Sequence, residues 1–494
     1  MTGKKVLAVD MGASGGKMAF AVYSGGKAEV LEYRSFANRP VDIGSALYWD
    51  VFSLYNSILD GISYFHSKYG KIETIGIDAW GASYGLLDRK GRLLEPVYHY
   101  RDIRTENVME RMQEVCSPHD LFQLTGCQCN RTYTLPQLYA CVSEPNSIID
   151  KAEKMLFLPD LLSYFLTGSD LTEMTIAGTS GLLDSSQENW SSTVADKFGI
   201  PFSLYTELTD PGTVKGSLRK EVEQATGTSG INLVSVVGHD SASAVASIPG
   251  FDENHLYISV GTNISMGVES EECLLSEQAF AAGMKNTGGF ARKKIIYRDF
   301  SACWHINEFL RTRREQGICY TFAQLDELAR SMTADVPWID TEDSVLCEAG
   351  GDFCRKIDGY CDRTNQRRPE SDAEYIRCIY ESIALKTAHY SKLFRKTGFP
   401  CRSIYVISGG TKNELLMQLM ADALGKEITA GMPYATLNGN ILTQLYALGE
   451  AGSLKEMRQI SASWDDGKQY FPEDREMWDS KSGRYEALIS GFTV

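Results

Sequence analysis

A short apolar strand that runs into a Gly/Ser/Thr turn and leaves it as a second strand occurs twice in this chain, and this repetition limits the fold more than any other feature. The first copy is Val6-Leu7-Ala8-Val9-Asp10-Met11-Gly12-Ala13-Ser14-Gly15-Gly16-Lys17, followed by the apolar run Met18 to Tyr23. The second is Leu256-Tyr257-Ile258-Ser259-Val260-Gly261-Thr262-Asn263-Ile264-Ser265-Met266-Gly267-Val268. Each reads as a hairpin whose tip exposes backbone N–H groups. Two such hairpins about half a chain apart predict an internal duplication. A chain of 494 residues also exceeds what one core usually supports, so two domains are expected.

Between the hairpins, Val51, Leu54, Tyr55, Ile58, Ile62 and Phe65 fall on one helical face with Gly70 close behind as a stop. Thr74-Ile75-Gly76-Ile77-Asp78-Ala79-Trp80 then reads as a buried strand, and strand, helix, strand in that order implies an α/β layered domain. Residues 104–166 read as mainly helical, with breaks at Pro136 and Pro159. Asp210-Pro211-Gly212 turns the chain into a second α/β passage that ends on the Val-rich run Leu233 to Val237. Helical periodicity returns over 299–335 and 371–396. The strand Ser403 to Ile407 then opens through Ser408-Gly409-Gly410-Thr411-Lys412-Asn413 into a helix from Glu414 to Leu424, the setting of a phosphate or nucleotide site. With a hinge at Pro249-Gly250, the predicted domains are 1–245 and 246–455, followed by a polar tail, 456–494, to which the sequence assigns no role.

Charge removes one class of partner. A net charge of -15 argues against nucleic acid, whose phosphates require concentrated Lys and Arg, and leaves anionic ligands to backbone dipoles and a metal ion. Only four apolar residues separate Lys5 from Asp10, too few for a signal-peptide core. The stretch Met155 to Leu166 is interrupted by Pro159 and Asp160 and falls short of the ~20 residues of a membrane span. A cytoplasmic protein without membrane partners is therefore expected. Twelve cysteines in such a chain read as free thiols, and neither Cys127/Cys129 nor Cys347/Cys354/Cys361 has a usual zinc spacing.

One carboxylate is a candidate for chemistry, and a second closes a strand. Asp240, in Gly238-His239-Asp240-Ser241-Ala242-Ser243-Ala244, sits among small residues and is a candidate catalytic base, with capping of the following helix as the competing reading. Asp10 closes the first strand, where a turn-stabilising role competes. Gly16-Lys17 raises the possibility of a P-loop, but Met11 replaces its first glycine, Met18 its Ser/Thr, and a strand follows where a helix is needed. No Gly-x-Gly-x-x-Gly precedes a helix, which argues against a dinucleotide fold.

Taken in order, the Asp10–Lys17 loop, Gly76-Ile77-Asp78-Ala79-Trp80-Gly81, Tyr100-Arg101-Asp102, Gly238–Ala244 and Ser408-Gly409-Gly410 with Asn413 resemble the FGGY carbohydrate kinases, and among them the rhamnulokinase branch, along essentially the whole chain. Pro159-Asp160-Leu161-Leu162-Ser163-Tyr164 and Glu370-Ser371-Asp372-Ala373-Glu374 agree. The resemblance implies an α/β fold of two ribonuclease-H-like domains, as in sugar kinases, actin and Hsp70 chaperones, with an active-site cleft between them. It implies ATP and Mg²⁺ as cofactors and phosphorylation of a sugar hydroxyl. Asp240 matches the general base and Asp10 the carboxylate near hydrated Mg²⁺. Ala13, Ser14, Gly15, Gly16, Lys17 and Thr262 match phosphate contacts, and Asn307 and Gly410 lie at nucleotide positions. Gly81, Ser83, His239, Asp240 and Asp299 match sugar contacts.

Departures from the branch cluster in the sugar pocket. Ser83 stands in place of Asp, Asn263 in place of Trp, Asp299 in place of Asn, and Asn307 in place of a Gln near the nucleotide. Exchanging carboxylates alters which hydroxyls are matched, and an unpaired buried polar group costs ~1–3 kcal/mol. The resemblance therefore implies a ketose such as L-rhamnulose as substrate, with a different ketose or a polyol as the alternative. A non-catalytic nucleotide-dependent sugar sensor and an ATP hydrolase with a vestigial pocket stand as alternatives.

Overall fold

The computed structural model describes residues 3–185, 188–332, 335–464 and 467–491. The chain folds as two compact units that interleave along the sequence. The first comprises Met1–Phe251, Glu269–Ile296 and Tyr434–Asp465, and the second Asp252–Val268, Tyr297–Pro433 and Asp466–Val494.

In the first unit, strands β1 (Lys4–Gly12), β2 (Gly15–Ser24), β3 (Lys27–Phe36), β4 (Thr74–Ala79), β5 (Thr213–Ser217) and β6 (Asn232–Ser235) form one sheet in the order β5-β6-β4-β1-β2-β3. β1 pairs antiparallel with β2 and parallel with β4, and β6 is parallel to β4. The helix Val51–Tyr69 packs on one face. Asp50 accepts from Ser53 N at its start, Gly70 ends it, and Val51, Leu54, Ile58, Ile62 and Phe65 are buried, so the predicted face and stop both hold. The Phe65 ring stacks on Phe20 of β2 at 5.6 Å.

The helix Ala435–Ala447 also packs against β1 and β4. It carries buried polar residues whose bonds run in a ladder. Thr74 Oγ1 donates to Gln444 Oε1 (2.7 Å), and Gln444 Nε2 donates to Leu7 O (3.1 Å) and Asn440 Oδ1 (2.8 Å). Asn440 Nδ2 in turn donates to Asp78 Oδ2 (2.6 Å). Every rung satisfies a group that would otherwise be buried without a partner.

The 104–166 region of this unit is less uniformly helical than its periodicity predicts, since the strand Lys154–Phe157 lies within it. Pro136 and Pro159 do not break helices either. They occupy the first turns of the helices Thr134–Val142 and Leu158–Thr167, where no intrahelical N–H is required.

In the second unit, β7 (His255–Val260), β8 (Asn263–Ser270), β9 (Lys294–Ser301), β10 (Ser403–Ile407), β11 (Ile428–Ala430) and β12 (Lys468–Tyr470) run in the order β9-β8-β7-β10-β11-β12. Here β7 is antiparallel to β8 and parallel to β10, β11 is parallel to β10, and β12 is antiparallel to β11. Hairpin, then a parallel fourth strand, then a parallel fifth repeats the arrangement of the first unit, as the duplicated hairpins predict. From residue 467 on, the tail is integral to this unit. β12 extends the sheet, and the helix Arg475–Ser490 docks on the helix Asp372–Lys396 through Lys481–Glu381 (2.9 Å) and Lys392–Glu486 (2.7 Å), with Tyr485 buried. No helix among the described residues is long and apolar enough to cross a membrane.

Candidate active site

The site residues predicted from sequence gather in two places, one in each unit. In the first unit, β1 and β2 meet through the two-residue turn Ala13-Ser14, with Gly12 opposite Gly15 and Asp10 opposite Lys17 in register. Asn38 Nδ2 donates to Gly12 O (3.0 Å) and steadies the turn. The Lys17 ammonium sits 4.3 Å from the centre of the Tyr434 ring, so it is held in place and is not a freely solvated surface charge.

Asp10 lies beside Asp78 in the parallel register of β1 and β4. Burial, the Asp240 charge and the pairing with Asp78 act together here. Asp10 is pushed up to about 7, burial first and Asp240 second, with Asp78 and Lys17 pulling the other way. Asp78 is raised well above the usual carboxylate range by burial and then by Asp10, against the hydrogen bond from Asn440. No protein donor reaches its Oδ1. Two adjoining acids in a buried setting favour one shared proton over two charges.

Asp240 opens the helix Asp240–Ala246, but His239 holds the N-cap position. Its Oδ1 accepts from Ser241 N (2.6 Å) and Ser241 Oγ (3.1 Å), and its side chain is 31% exposed. A bond to the adjacent amide is not the cap bond to the second or third amide of a helix, so capping does not account for this carboxylate. His239 Nε2 lies 3.5 Å from Asp240 Oδ1. The bridge between Ala79 and His239, with Ala79 N donating to Gly238 O (2.9 Å), fixes this segment against the end of β4.

Gly81 follows β4 with no room for a side chain, because a β-carbon there would lie 2.7 Å from Thr179 Oγ1. Ser83 is only 1% exposed, and its Oγ accepts from the indoles of both Trp49 (3.0 Å) and Trp80 (2.9 Å). The Trp49 ring stacks on His99 at 4.0 Å. Ser83 therefore fastens both indoles through one hydroxyl.

In the second unit, Gly261, Thr262 and Asn263 form the exposed tip between β7 and β8. Thr262 O accepts from Ala302 N (3.3 Å) and Trp304 N (2.9 Å), which ties the tip to the start of the helix Cys303–Glu315, where Asn307 is exposed. Gly410 packs on the same tip: a β-carbon there would sit 2.6 Å from Val260 Cβ and 2.8 Å from Val260 O. Ser408, just before it, has φ of 77°, a left-handed conformation unusual for serine, and its Oγ lies 2.8 Å from Ser259 Oγ. Asp299 is half-buried on β9. Asp78, Trp49, Trp80 and Asn440 join the first unit's constellation without standing out as site residues in the sequence.

No group of three or more His, Cys, Asp or Glu side chains among the described residues is arranged to enclose a metal ion. A cation at Asp10 would draw most of its ligands from phosphate oxygens and water, as Mg²⁺ commonly does. The fit is chemical: a carboxylate whose negative form is disfavoured by burial and by a neighbouring carboxylate gains from a cation.

Residues 5–247 match the N-terminal domain, and residues 256–448 the C-terminal domain, of the FGGY family of carbohydrate kinases. The rhamnulokinase of Bacteroides thetaiotaomicron is 32% identical over 474 residues, 96% of this chain and 97% of that one. The rhamnulokinase of Enterococcus faecalis is 33% identical, with 92% and 91% covered. Among solved structures, xylulose kinase from Rhodospirillum rubrum superposes with a TM-score of 0.83 at 15% identity, with 99% of each chain covered. Plasmodium falciparum glycerol kinase with ADP gives 0.82 at 17% identity, covering 100% of this chain and 99% of that one. At such identities these two structures speak for the two-domain fold alone.

Proposed function

Because the chain belongs to the FGGY family of carbohydrate kinases, we propose that it transfers the γ-phosphoryl group of ATP to a hydroxyl of a ketose, with Asp240 as the general base and L-rhamnulose as the leading candidate substrate. The observation that carries this reading is the partly exposed Asp240 carboxylate, held through Oδ1 by Ser241 beside Asp10, Asp78 and Lys17. A base for such a transfer has to be fixed and accessible to a hydroxyl, and the remaining lone pairs of Asp240 meet that need. L-rhamnulose comes from the names of the curated relatives.

The sugar is received by Gly81, His239 and Asp240, with the Trp49/Trp80 wall fastened by Ser83, and with Asp299 as a further specificity position. Asp240 takes the proton from the accepting hydroxyl as its oxygen attacks phosphorus. Backbone N–H groups of Ala13 to Gly16, the Lys17 ammonium and Thr262 compensate phosphate charge, while Asn307 and Gly410 receive the nucleotide. Asp10 would hold the Mg²⁺ of Mg-ATP, which neutralises charge on the phosphates when bound.

The test is a panel of ketoses and polyols, L-rhamnulose included, offered with Mg-ATP while ADP and phosphosugar are both measured. Phosphosugar formed in step with ADP supports the kinase. Sugar-independent ADP release would favour a hydrolase, and binding without product would favour a sensor. Preference for a sugar other than L-rhamnulose would assign Ser83, Asn263 and Asp299 to specificity. The base is tested by Asp240→Asn, expected to retain sugar binding and lose turnover; a wild-type rate refutes the assignment.

A further inference from the structure

We propose that Glu173 and Thr175 are positioning residues for Asp240, holding the two backbone amides that precede it; the inference rests on the reading of Asp240 as the base. Glu173 caps the single-turn helix Met174–Ala177, accepting from Thr175 N (2.9 Å) and Ile176 N (3.0 Å). A cap needs no more than these two bonds. The same carboxylate, 2% exposed, also accepts from Gly238 N (3.0 Å), which is 65 residues away in the chain. Thr175 Oγ1 donates to Glu173 Oε2 (2.6 Å) and accepts from His239 N (3.2 Å). Consecutive amides of the Gly238-His239-Asp240 turn thus end on one carboxylate and on the hydroxyl that the carboxylate orients.

Three further features fit this cradle. A β-carbon on Gly238 would lie 2.6 Å from Glu173 Oε2, so glycine is what lets the turn settle onto the acid. Glu173 is itself fixed from behind: its amide faces both oxygens of Asp160 (3.3 and 3.4 Å), and buried Asp160 pairs with buried Lys215, which donates to Leu171 O (2.9 Å). On the opposite side, Gly238 O accepts from Ala79 N at the end of β4. The turn is therefore held on two sides, and release of one side leaves buried N–H groups without acceptors.

The most informative variant is Thr175→Val, which keeps shape and removes the His239 acceptor, with Thr175→Ser as its rescue and Glu173→Gln as the stronger lesion. Displacement of the base should lower kcat by about 10- to 100-fold while KM for ATP stays within about twofold, because small misplacements of reacting groups carry costs of that order. Thr175→Ser should recover most of kcat. Hydrogen exchange of the peptide spanning Gly238 and His239 should quicken in Thr175→Val and Glu173→Gln. In an Asp240→Asn background Thr175→Val should add no further loss, whereas a merely structural role would add its full loss again. A folded Thr175→Val with wild-type kcat and unchanged exchange overturns the cradle. So does a loss that serine fails to rescue or that persists undiminished beside Asp240→Asn. A wild-type rate in Asp240→Asn alone sinks the base assignment, a result separate from either of these.

Discussion

Gly439 approaches Ser243 so closely that a β-carbon on the glycine would overlap the Ser243 carbonyl oxygen and lie 2.6 Å from its carbon. The contact joins the helix Ala435–Ala447 to the helix that begins at Asp240. In an ordinary helix interior, Gly→Ala stabilises by about 0.5–1 kcal/mol. Here overlap with backbone wins, since overpacking of this kind costs about 1–3 kcal/mol. Gly439→Ala is therefore expected to lower the denaturation midpoint and to reduce kcat by displacing Asp240. An unchanged or raised midpoint in a thermal melt would show that the helices separate without penalty.

Gly410→Ala carries the same steric argument to the proposed nucleotide position. The added methyl meets Val260 Cβ and Val260 O at 2.6 and 2.8 Å, so the turn after β10 has to withdraw from the hairpin tip that presents Thr262. The expected outcome is a KM for ATP raised about tenfold or more, while KM for the sugar stays within about twofold, because on the proposed reading the disturbed contacts serve the nucleotide alone. Steady-state kinetics with each substrate varied in turn checks this. Equal increases in both constants would count against Gly410 as a nucleotide residue.

The elements built from local pattern were legible in the chain. The two hairpins, the helix Glu414–Leu424 and the buried strand Thr74–Ala79 stand where periodicity and turn residues place them. Pro136 and Pro159 read as breaks because proline suits a break as well as a first turn, and the two cases differ only in what precedes them. The partner of Asp10 and the long-range support were hidden for a different reason. Asn440 reaches Asp78 across 362 residues, and Glu173 reaches Gly238 across 65, separations that no local pattern records. One signal was available: Asp78 is the single charge in the apolar run Ile75 to Ala79, and a lone acid in a buried strand requires a partner.

Asp78→Asn tests whether that acid is neutral. Its pKa in the folded chain is raised well above the ordinary value of 3.8, so the folded form holds the proton more tightly than the unfolded form. The stability contributed by the protonated group is full below that ordinary value and is lost as pH rises through the folded one. Asparagine keeps an acceptor for Asn440 and a donor toward Asp10 but does not titrate. The variant is expected to match the wild type within about 1 kcal/mol at pH 4.5 and to gain on it steadily toward pH 8. Chemical denaturation of both proteins across that range decides the matter, and a gap that moves in favour of the wild type with rising pH would mean Asp78 is ionised in the fold.

Ser83→Ala separates a wall from a contact. The Ser83 hydroxyl is the shared acceptor of the Trp49 and Trp80 indoles and is buried beneath them, so its removal strands two N–H donors at once. Each such donor costs about 1–3 kcal/mol when no water replaces the acceptor, and relaxation of the rings recovers part of the sum, so a loss of about 2 kcal/mol is expected. Because Trp49 also stacks on His99, the rings should shift together and change tryptophan emission. On the reading of Trp49 and Trp80 as a sugar-side wall, KM for the sugar should rise several-fold with KM for ATP unchanged. If stability and emission hold while only the sugar constant moves, Ser83 meets the sugar directly. If both move together, the serine acts through the indoles, and the sugar preference of this kinase is then best altered by changing the rings.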